Sequence, residues 1–277
     1  MLYSVVVTMV SVVVETGCAA TATRVKLDDA LAALARQTYP REHLEIIVVD
    51  TGNVPGLDST TRAHLPDASI LRLPGGWHYE MKNLGLKAAT GQIIAFVDSD
   101  VMIVPNWVAL AVDTLRAAPA EVVGVQGRTV LAPGFLSRPA TAMLYGLRLD
   151  RAGRYSANLV GNNCAFRGDF LRKTPFEQTH LFTTPDSILM ARLRARGARL
   201  VVNEAMQATH DYPGISRLLA LAHRAGRCMV AARRADTTLP GWWIAWTGPV
   251  GPLLLVAGKL VADLRRLGAN RRGFRVR

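Results

Sequence analysis

The sequence predicts an α/β fold, a mostly parallel central sheet flanked by helices, and two observations carry that expectation. Short β-branched runs alternate with helical patterns through the first half of the chain, as in successive β-α-β units. The 277 residues, half of them apolar and only 19% charged, suffice to bury a substantial core in one large domain or two small ones.

The expected strands are residues 10–14, 46–49, 70–73, 93–97 and 122–125, each an apolar stretch bounded by Gly, Pro, Asp or Asn. Residues 2–14 are largely apolar but lack a basic leader or a small-residue cleavage pattern and are too short to span a bilayer, so they read as buried strand. Leu27, Ala30, Leu31 and Leu34 repeat at helical spacing, as do Val108, Ala111, Val112 and Leu115 behind Pro105, which suits a first helical turn. Beyond residue 130 the pattern is less regular. It contains a Gly161-Asn162-Asn163 turn, a basic amphipathic helix around residues 188–196 and a strand-like Leu200-Val201-Val202.

Charge and cysteine narrow the function. The net charge is +12, from 33 Lys and Arg over 21 Asp and Glu, and half of that excess lies in residues 259–277. The body is mildly basic and has neither interleaved aromatics nor a recognisable reading module, so a nucleic-acid partner is not expected. Cys18, Cys164 and Cys228 are odd in number and show no C-x-x-C pairing, which speaks for a reducing, cytoplasmic setting and against a zinc site. Residues 237–258 carry no charge, begin with Trp242, Trp243 and Trp246, contain two Gly-Pro pairs and run into the Arg-rich tail. At 22 residues the segment is just long enough to span a bilayer. The Arg-rich tail favours a re-entrant or interfacial element resting on anionic lipid over a span that exports the tail. A buried C-terminal helix is the alternative.

The chemistry gathers at strand ends. Asp98-Ser99-Asp100 follows Ile93-Ile94-Ala95-Phe96-Val97, so two carboxylates emerge where open α/β sheets bind ligands. Two such acids suit Mg²⁺ or Mn²⁺ with a diphosphate completing the octahedron, although the tripeptide is also an ordinary turn sequence. Asp50 ends a second strand on the same edge, and a short helix places Lys82 where a phosphate would lie; a solvated helix charge is the other reading of Lys82.

The ordered set of these motifs resembles family-2 glycosyltransferases, the GT-A type of nucleotide-sugar enzyme. Val10-Ser11-Val12-Val13-Val14 is similar to the family's first strand, and Gln37-Thr38-Tyr39-Pro40 followed by Glu45-Ile46-Ile47-Val48-Val49-Asp50 to its second. Lys82-Asn83-x-Gly85 through Asp98-Ser99-Asp100 resembles the central block, and Gly161 to Arg167 with Asp186, Leu189, Arg192, Leu193 and Gly197 the acceptor-side segments. The likeness covers about residues 10–230 and implies a nucleotide-binding half (1–129) and an acceptor half (130–236); the uncharged Trp-rich run and the Arg-rich tail add a membrane-associating segment (237–277).

The resemblance implies a single-sugar, inverting transfer from a nucleotide-diphosphate sugar to a hydroxyl acceptor. Asp100 would bind Mn²⁺ or Mg²⁺ directly, with Asp98 assisting and His210 nearby; Asp50 and Thr16 would hold the donor, and Lys82 would add charge at the diphosphate. Asp186 would be the general base, although Thr184-Pro185-Asp186 is also an ordinary helix start whose positive end lowers an acid's pKa. The acceptor, lipid-linked or membrane-proximal by inference from location alone, and the enzyme would meet on the cytoplasmic side of the cell membrane. The chain departs from the family pattern at Glu15-Thr16-Gly17-Cys18, where Pro-Thr-x-Asn is usual, at Thr51, where a second acid is usual, and at Pro185, where Glu is usual. Arg224 and Arg227 could line the diphosphate from a C-terminal helix, a solvated basic face being the default at this spacing; around Arg224 there is no Gln-x-x-Arg-Trp of processive synthases. Two alternatives remain: a membrane-tethered nucleotide-sugar-binding protein that has lost turnover, and a nucleotidyltransferase. The second would want a Gly-rich basic loop after the first strand, and Glu15-Thr16-Gly17-Cys18 does not supply it.

Overall fold

The computed structural model describes residues 8–17, 19–22, 25–150, 152–178, 185–212 and 214–235, with Trp243, Val250 and Val261 as single positions. Its strands are β1 (Val10–Glu15), β2 (Leu44–Asp50), β3 (Ser69–Arg72), β4 (Ile93–Asp98), β5 (Val101–Ile103), β6 (Val122–Leu131), β7 (Asn163–Arg167) and β8 (Arg199–His210). The helices are α1 (Leu27–Ala35), α2 (Leu57–His64), α3 (His78–Ala88), α4 (Trp107–Ala117), α5 (Ser137–Tyr145), α6 (Gly168–Lys173), α7 (Pro185–Ala195) and α8 (Gly214–Ala235).

All described strands join one sheet in the order β3-β2-β1-β4-β7-β6-β8-β5. The first four run parallel, and β6 and β8 pair parallel, but β7 is antiparallel to β4 and β6, and β5 is antiparallel to β8. The sheet is therefore mixed where the sequence predicts a mostly parallel one, because the Gly161-Asn162-Asn163 turn leads directly into a short return strand. Strands β4 and β5 stand four places apart in the order, yet only Ser99 and Asp100 link them. In a flat sheet four steps would cover roughly 19 Å, whereas the Cα path from Asp98 to Val101 reaches about 11 Å at most. The sheet must curl, and the curl carries the end of β8 back to the β4–β5 turn.

Both sheet faces are covered, which is why the parallel strands read as continuous apolar runs rather than alternating ones. Val10, Val12 and Val14 pack on one side with α1 and α4; Val13, Ile94 and Phe96 pack on the other with Met81 and Leu86 of α3 and Leu189 and Leu193 of α7. Period-two alternation then dictates where the strand-end acids point. Glu15 follows Val13, and Asp98 follows Phe96, onto the α3 face, and the two acids are direct partners in the β1–β4 ladder.

Helix α3 approaches that face closely because of Gly85. A Cβ there would lie 2.3 Å from Val13 Cγ1, and Val13 is fully buried. Gly85→Ala is expected to destabilise the protein by about 1–3 kcal/mol through overpacking, seen as a lowered urea midpoint; an unchanged midpoint would mean that α3 slides without cost. The return strand is fixed from the other side. Buried Trp107 donates its indole N–H to Asn163 Oδ1 at 2.7 Å, and Asn163 Nδ2 donates to Met206 O at 3.1 Å, joining α4, β7 and β8. Among the described residues no helix is long and apolar enough to cross a membrane. The expected membrane element, 237–277, lies outside the described residues apart from three single positions.

Candidate active site

The curl brings together the three residues expected at a cation. Asp98 at the end of β4, Asp100 in the following turn and His210 at the end of β8 each offer a ligand atom, all within 4.8 Å of one another. His210 pairs in register with Val101 of β5 and Leu131 of β6, so strand pairing sets its position. Its Nε2 lies 3.5 Å from Asp100 Oδ1, a buried oxygen without a hydrogen-bond partner among the described residues. The Asp211 N–H donates to Asp100 O at 2.9 Å, while Asp211 Oδ1 accepts from Val25 N–H at 3.1 Å, clamping the turn between distant segments. Burial pushes the Asp100 carboxyl up, and the facing His210 opposes the shift. An orphaned carboxylate oxygen beside a second carboxylate and an imidazole is a donor set that fits Mn²⁺ or Mg²⁺.

Lys82 is not a solvated helix charge. It is 2% exposed and its ammonium bonds to Asp98 Oδ1, with Glu15 Oε1 at 4.0 Å. His78, one turn earlier on the same face of α3, places Nδ1 2.8 Å from Glu15 Oε1. Glu15 Oε2 accepts the Gly17 N–H at 2.8 Å, and a side chain at Gly17 would strike the His78 ring at 2.7 Å. Burial pushes Glu15 up, but His78 and Lys82 more than reverse this and hold it down to about 2. Asp98 goes the other way, to about 6, because burial and the neighbouring Glu15 and Asp100 outweigh Lys82. The pull of Asp98 and Glu15 raises Lys82 against its burial, and Glu15 likewise raises His78. Glu15 thus holds His78 and Lys82 beside the cluster of Asp98, Asp100 and His210, a role the sequence assigned to no residue. The signal was there: an acid continuing a fully buried strand, and a His and a Lys four apart on a nearby helix.

Thr16 and Asp50 are together but engaged with each other. Thr16 Oγ1 donates to Asp50 Oδ1 at 3.1 Å, and Arg72 of β3, absent from the sequence expectations, pairs with Asp50 Oδ2 at 2.5 Å and with Asp58. Arg224 stands with its guanidinium 5.4 Å from the centre of the Trp77 ring, at the start of α3.

Asp186 sits on the α3 side of the sheet, in the first turn of α7. Gln126, bonded to Ser156 Oγ at 3.0 Å and to Val160 N–H at 3.0 Å, anchors the loop that offers the Gly161 N–H to Asp186 Oδ2 at 3.2 Å. Only glycine fits there, since a Cβ would stand 2.8 Å from Asp186 Oδ1. Burial raises the Asp186 carboxyl to about 6, although the Tyr79 hydroxyl, Lys82 and the Gly161 N–H favour its anion. The expectation that the helix start lowers this pKa is corrected: burial raises it. Asp186 Oδ1 has no hydrogen-bond partner among the described residues. The arrangement gathers at one end of the sheet three residues whose chemistry fits a divalent cation, a buried lysine beside a partly buried histidine, and a carboxyl raised to about 6.

A sequence model of glycosyl transferase family 2 matches residues 24–178, and the chain belongs to that family. Asp50, Lys82, Asp98 and Asp100 lie inside the matched stretch; Thr16, Asp186 and His210 lie outside it. Glycosyltransferase AglE of Haloferax volcanii is 29% identical over 98 residues, 34% of this chain; the chain spans about a third of that relative, 32% of its length. Among solved structures, the mannosyltransferase PcManGT of Pyrobaculum calidifontis, in complex with GDP-Man and Mn²⁺, superposes with a TM-score of 0.63 at 20% identity over 96% of this chain and 80% of that one. TarS of S. aureus in complex with UDP-GlcNAc superposes with a TM-score of 0.56 at 16% identity, over 81% of this chain and 65% of that one. At these identities the two structures show the fold, an α/β GT-A-like glycosyltransferase fold with a curled mixed sheet.

Proposed function

We propose that the protein is an inverting glycosyltransferase that moves one sugar from a nucleotide-diphosphate sugar to a hydroxyl acceptor, with Asp186 as general base. The observation that carries this reading is the orphaned Asp100 oxygen, gathered with Asp98 and His210 at the sheet edge beside Lys82. Family membership and the nucleotide-sugar complexes of PcManGT and TarS support the donor class.

Asp98, Asp100 and His210 would hold Mn²⁺ or Mg²⁺. When bound, the ion supplies positive charge to the donor diphosphate. Lys82, with His78 behind it, stabilises the charge that develops on the departing diphosphate oxygen. Asp50 and Thr16 bind the nucleoside once Arg72 yields or shares Asp50. The acceptor oxygen gives its proton to the Asp186 carboxylate and attacks the anomeric carbon opposite the diphosphate. The bond from carbon to the diphosphate oxygen breaks, and the configuration inverts. The acceptor is lipid-linked and the site works at the cytoplasmic face of the cell membrane, a placement that rests on the uncharged, Trp-rich 237–258 and the Arg-rich tail.

Calorimetric titration with a panel of nucleoside diphosphates, with and without Mn²⁺, tests the reading. Metal-dependent binding of one of them is expected; a folded protein that binds none would sink it. Binding without any sugar transfer would favour the tethered binding protein instead.

A further inference from the structure

We propose that the catalytic domain itself carries a docking face for anionic lipid bilayers, formed by the loop between β6 and α5 and the first two turns of α8. Phe135 is 74% exposed and Leu219 67%, with Leu136 and Ile215 also exposed. Ile215 and Leu219 are four apart and share one face of α8. The loop and the helix start belong to one unit. Leu131, Ala132 and Ala140 share a small core with Tyr212 and Leu218, the Tyr212 hydroxyl donates to Phe135 O, and the Tyr212 ring fills the space beside Gly134.

Leu136 adopts a left-handed backbone with φ 62°, the one such non-glycine residue among those described. A leucine pays for that conformation, and here it displays two consecutive large apolar side chains to water. An apolar display of this kind marks an interaction surface rather than ordinary surface scatter.

Charge identifies the occupant. Helix α8 carries Arg217, Arg224, Arg227, Arg233 and Arg234 and no acid, and residues 122–149 carry Arg128, Arg138 and Arg148 and no acid. Arg128 faces Glu204 at 3.8 Å and Arg217 bonds to Thr21, which leaves an excess of arginine on these segments; exposed Phe and Leu on such a surface match the headgroup boundary of an anionic bilayer, which takes apolar side chains below and guanidinium groups at the surface.

The face also has a set distance to the chemistry. Helix α5 starts beside Leu136 and ends at Tyr145, whose ring lies 5.2 Å from that of His210. Nine helical residues span about 13 Å. On the proposed function, the bilayer would present a lipid-linked acceptor one short helix away from the cation site, although lipid docking itself does not depend on that reading.

The test is co-sedimentation of the full chain with vesicles of phosphatidylglycerol and phosphatidylcholine, and with phosphatidylcholine alone. Wild type is expected to bind the anionic vesicles at least about tenfold better and to lose binding as salt rises. The variant F135D/L219D is expected to lose at least about tenfold in anionic-vesicle binding. Both positions are exposed, so its thermal midpoint should hold; if it does not, Leu219→Asp alone and the salt series decide. Equal binding by wild type and variant, or indifference to lipid charge, would overturn the proposal. So would conversion of a dimer to a monomer by the variant with vesicle binding unchanged, since the occupant would then be a second copy. Mn²⁺-dependent nucleoside-diphosphate binding, measured on the same variant without lipid, separates the two readings. Its retention alongside lost vesicle binding supports a docking face distinct from the donor site. Its absence from wild type that still binds vesicles would sink the donor reading and leave the face standing.

Discussion

Asp186→Asn is expected to lower kcat by about 10²–10⁴-fold, the range for a lost general base, while donor binding stays within a few-fold of wild type. The amide keeps the size and the contact with the Gly161 N–H geometry but cannot accept the acceptor proton. The pH profile gives an independent readout. As the proposed base Asp186 would work as the anion, and its carboxyl is held up at about 6. Turnover should therefore fall as pH drops through about 6, and with it the ionised fraction, from about 90% at pH 7 to about 10% at pH 5. Saturating metal and donor keep Asp98 and Asp100 from adding a limb of their own. The residual activity of Asp186→Asn should lack this acid limb. A variant with wild-type turnover would remove Asp186 from the mechanism and revive the reading of it as a helix-start acid. A wild type that binds donor but transfers nothing would point to a degenerate fold.

Asp100→Ala is expected to abolish the metal-dependent part of nucleoside-diphosphate binding, a loss of at least about 100-fold in the presence of Mn²⁺. It should leave weak, metal-independent binding largely intact. The expectation follows from a buried carboxylate oxygen that has no hydrogen-bond partner among the described residues and only the His210 imidazole nearby. Removing a ligand from a three-residue donor set costs more than the 10–100-fold seen for losses in the layer behind the ligands. Isothermal titration with and without Mn²⁺ reads both components. If Asp100→Ala binds the diphosphate in Mn²⁺ as wild type does, the cation seat is elsewhere. The same substitution removes a buried charge that burial disfavours, so folded stability need not fall with affinity, and a melting curve separates the two effects.

Much of this site was legible because its residues sit at the ends of strands that declare themselves. The runs ending near Asp50 and Asp98 are apolar on both faces, and β2 and β4 extend the expected strands by only a few residues. Other parts depended on contacts that no local pattern records. Asn163–Arg167 reads as the aftermath of a Gly-Asn turn, and only its partners β4 and β6 make it a strand. Helix α4 starts at Trp107 behind Asn106 rather than with Pro105 in its first turn, a boundary set by how Trp107 buries itself. Of helix α8 the sequence offered only a C-terminal helix bearing Arg224 and Arg227, without bounds; its start at Gly214 and its length come from the structure. Glu15 looked like a departure from the family pattern. Its sense lies in His78 and Lys82, more than sixty positions away. For Asp186 the sequence showed the helix start but not the depth of burial, and burial decided the sign of its pKa shift.

The curl of the sheet has a bearing on when the protein becomes competent. Asp98 and Asp100 leave the ribosome 110 or more residues before His210 does. The strand that carries His210 can be seated only after β6 and β5 are there to receive it. Such long-range pairing is the slow part of building a domain. A half-made chain therefore displays two carboxylates and no imidazole, too poor a set to capture a cation firmly, and on the proposed function an ion would enter only a finished sheet. Bound in this way it would act as a ratchet on the last step of assembly, favouring the completed fold by mass action and gaining no hold on earlier intermediates.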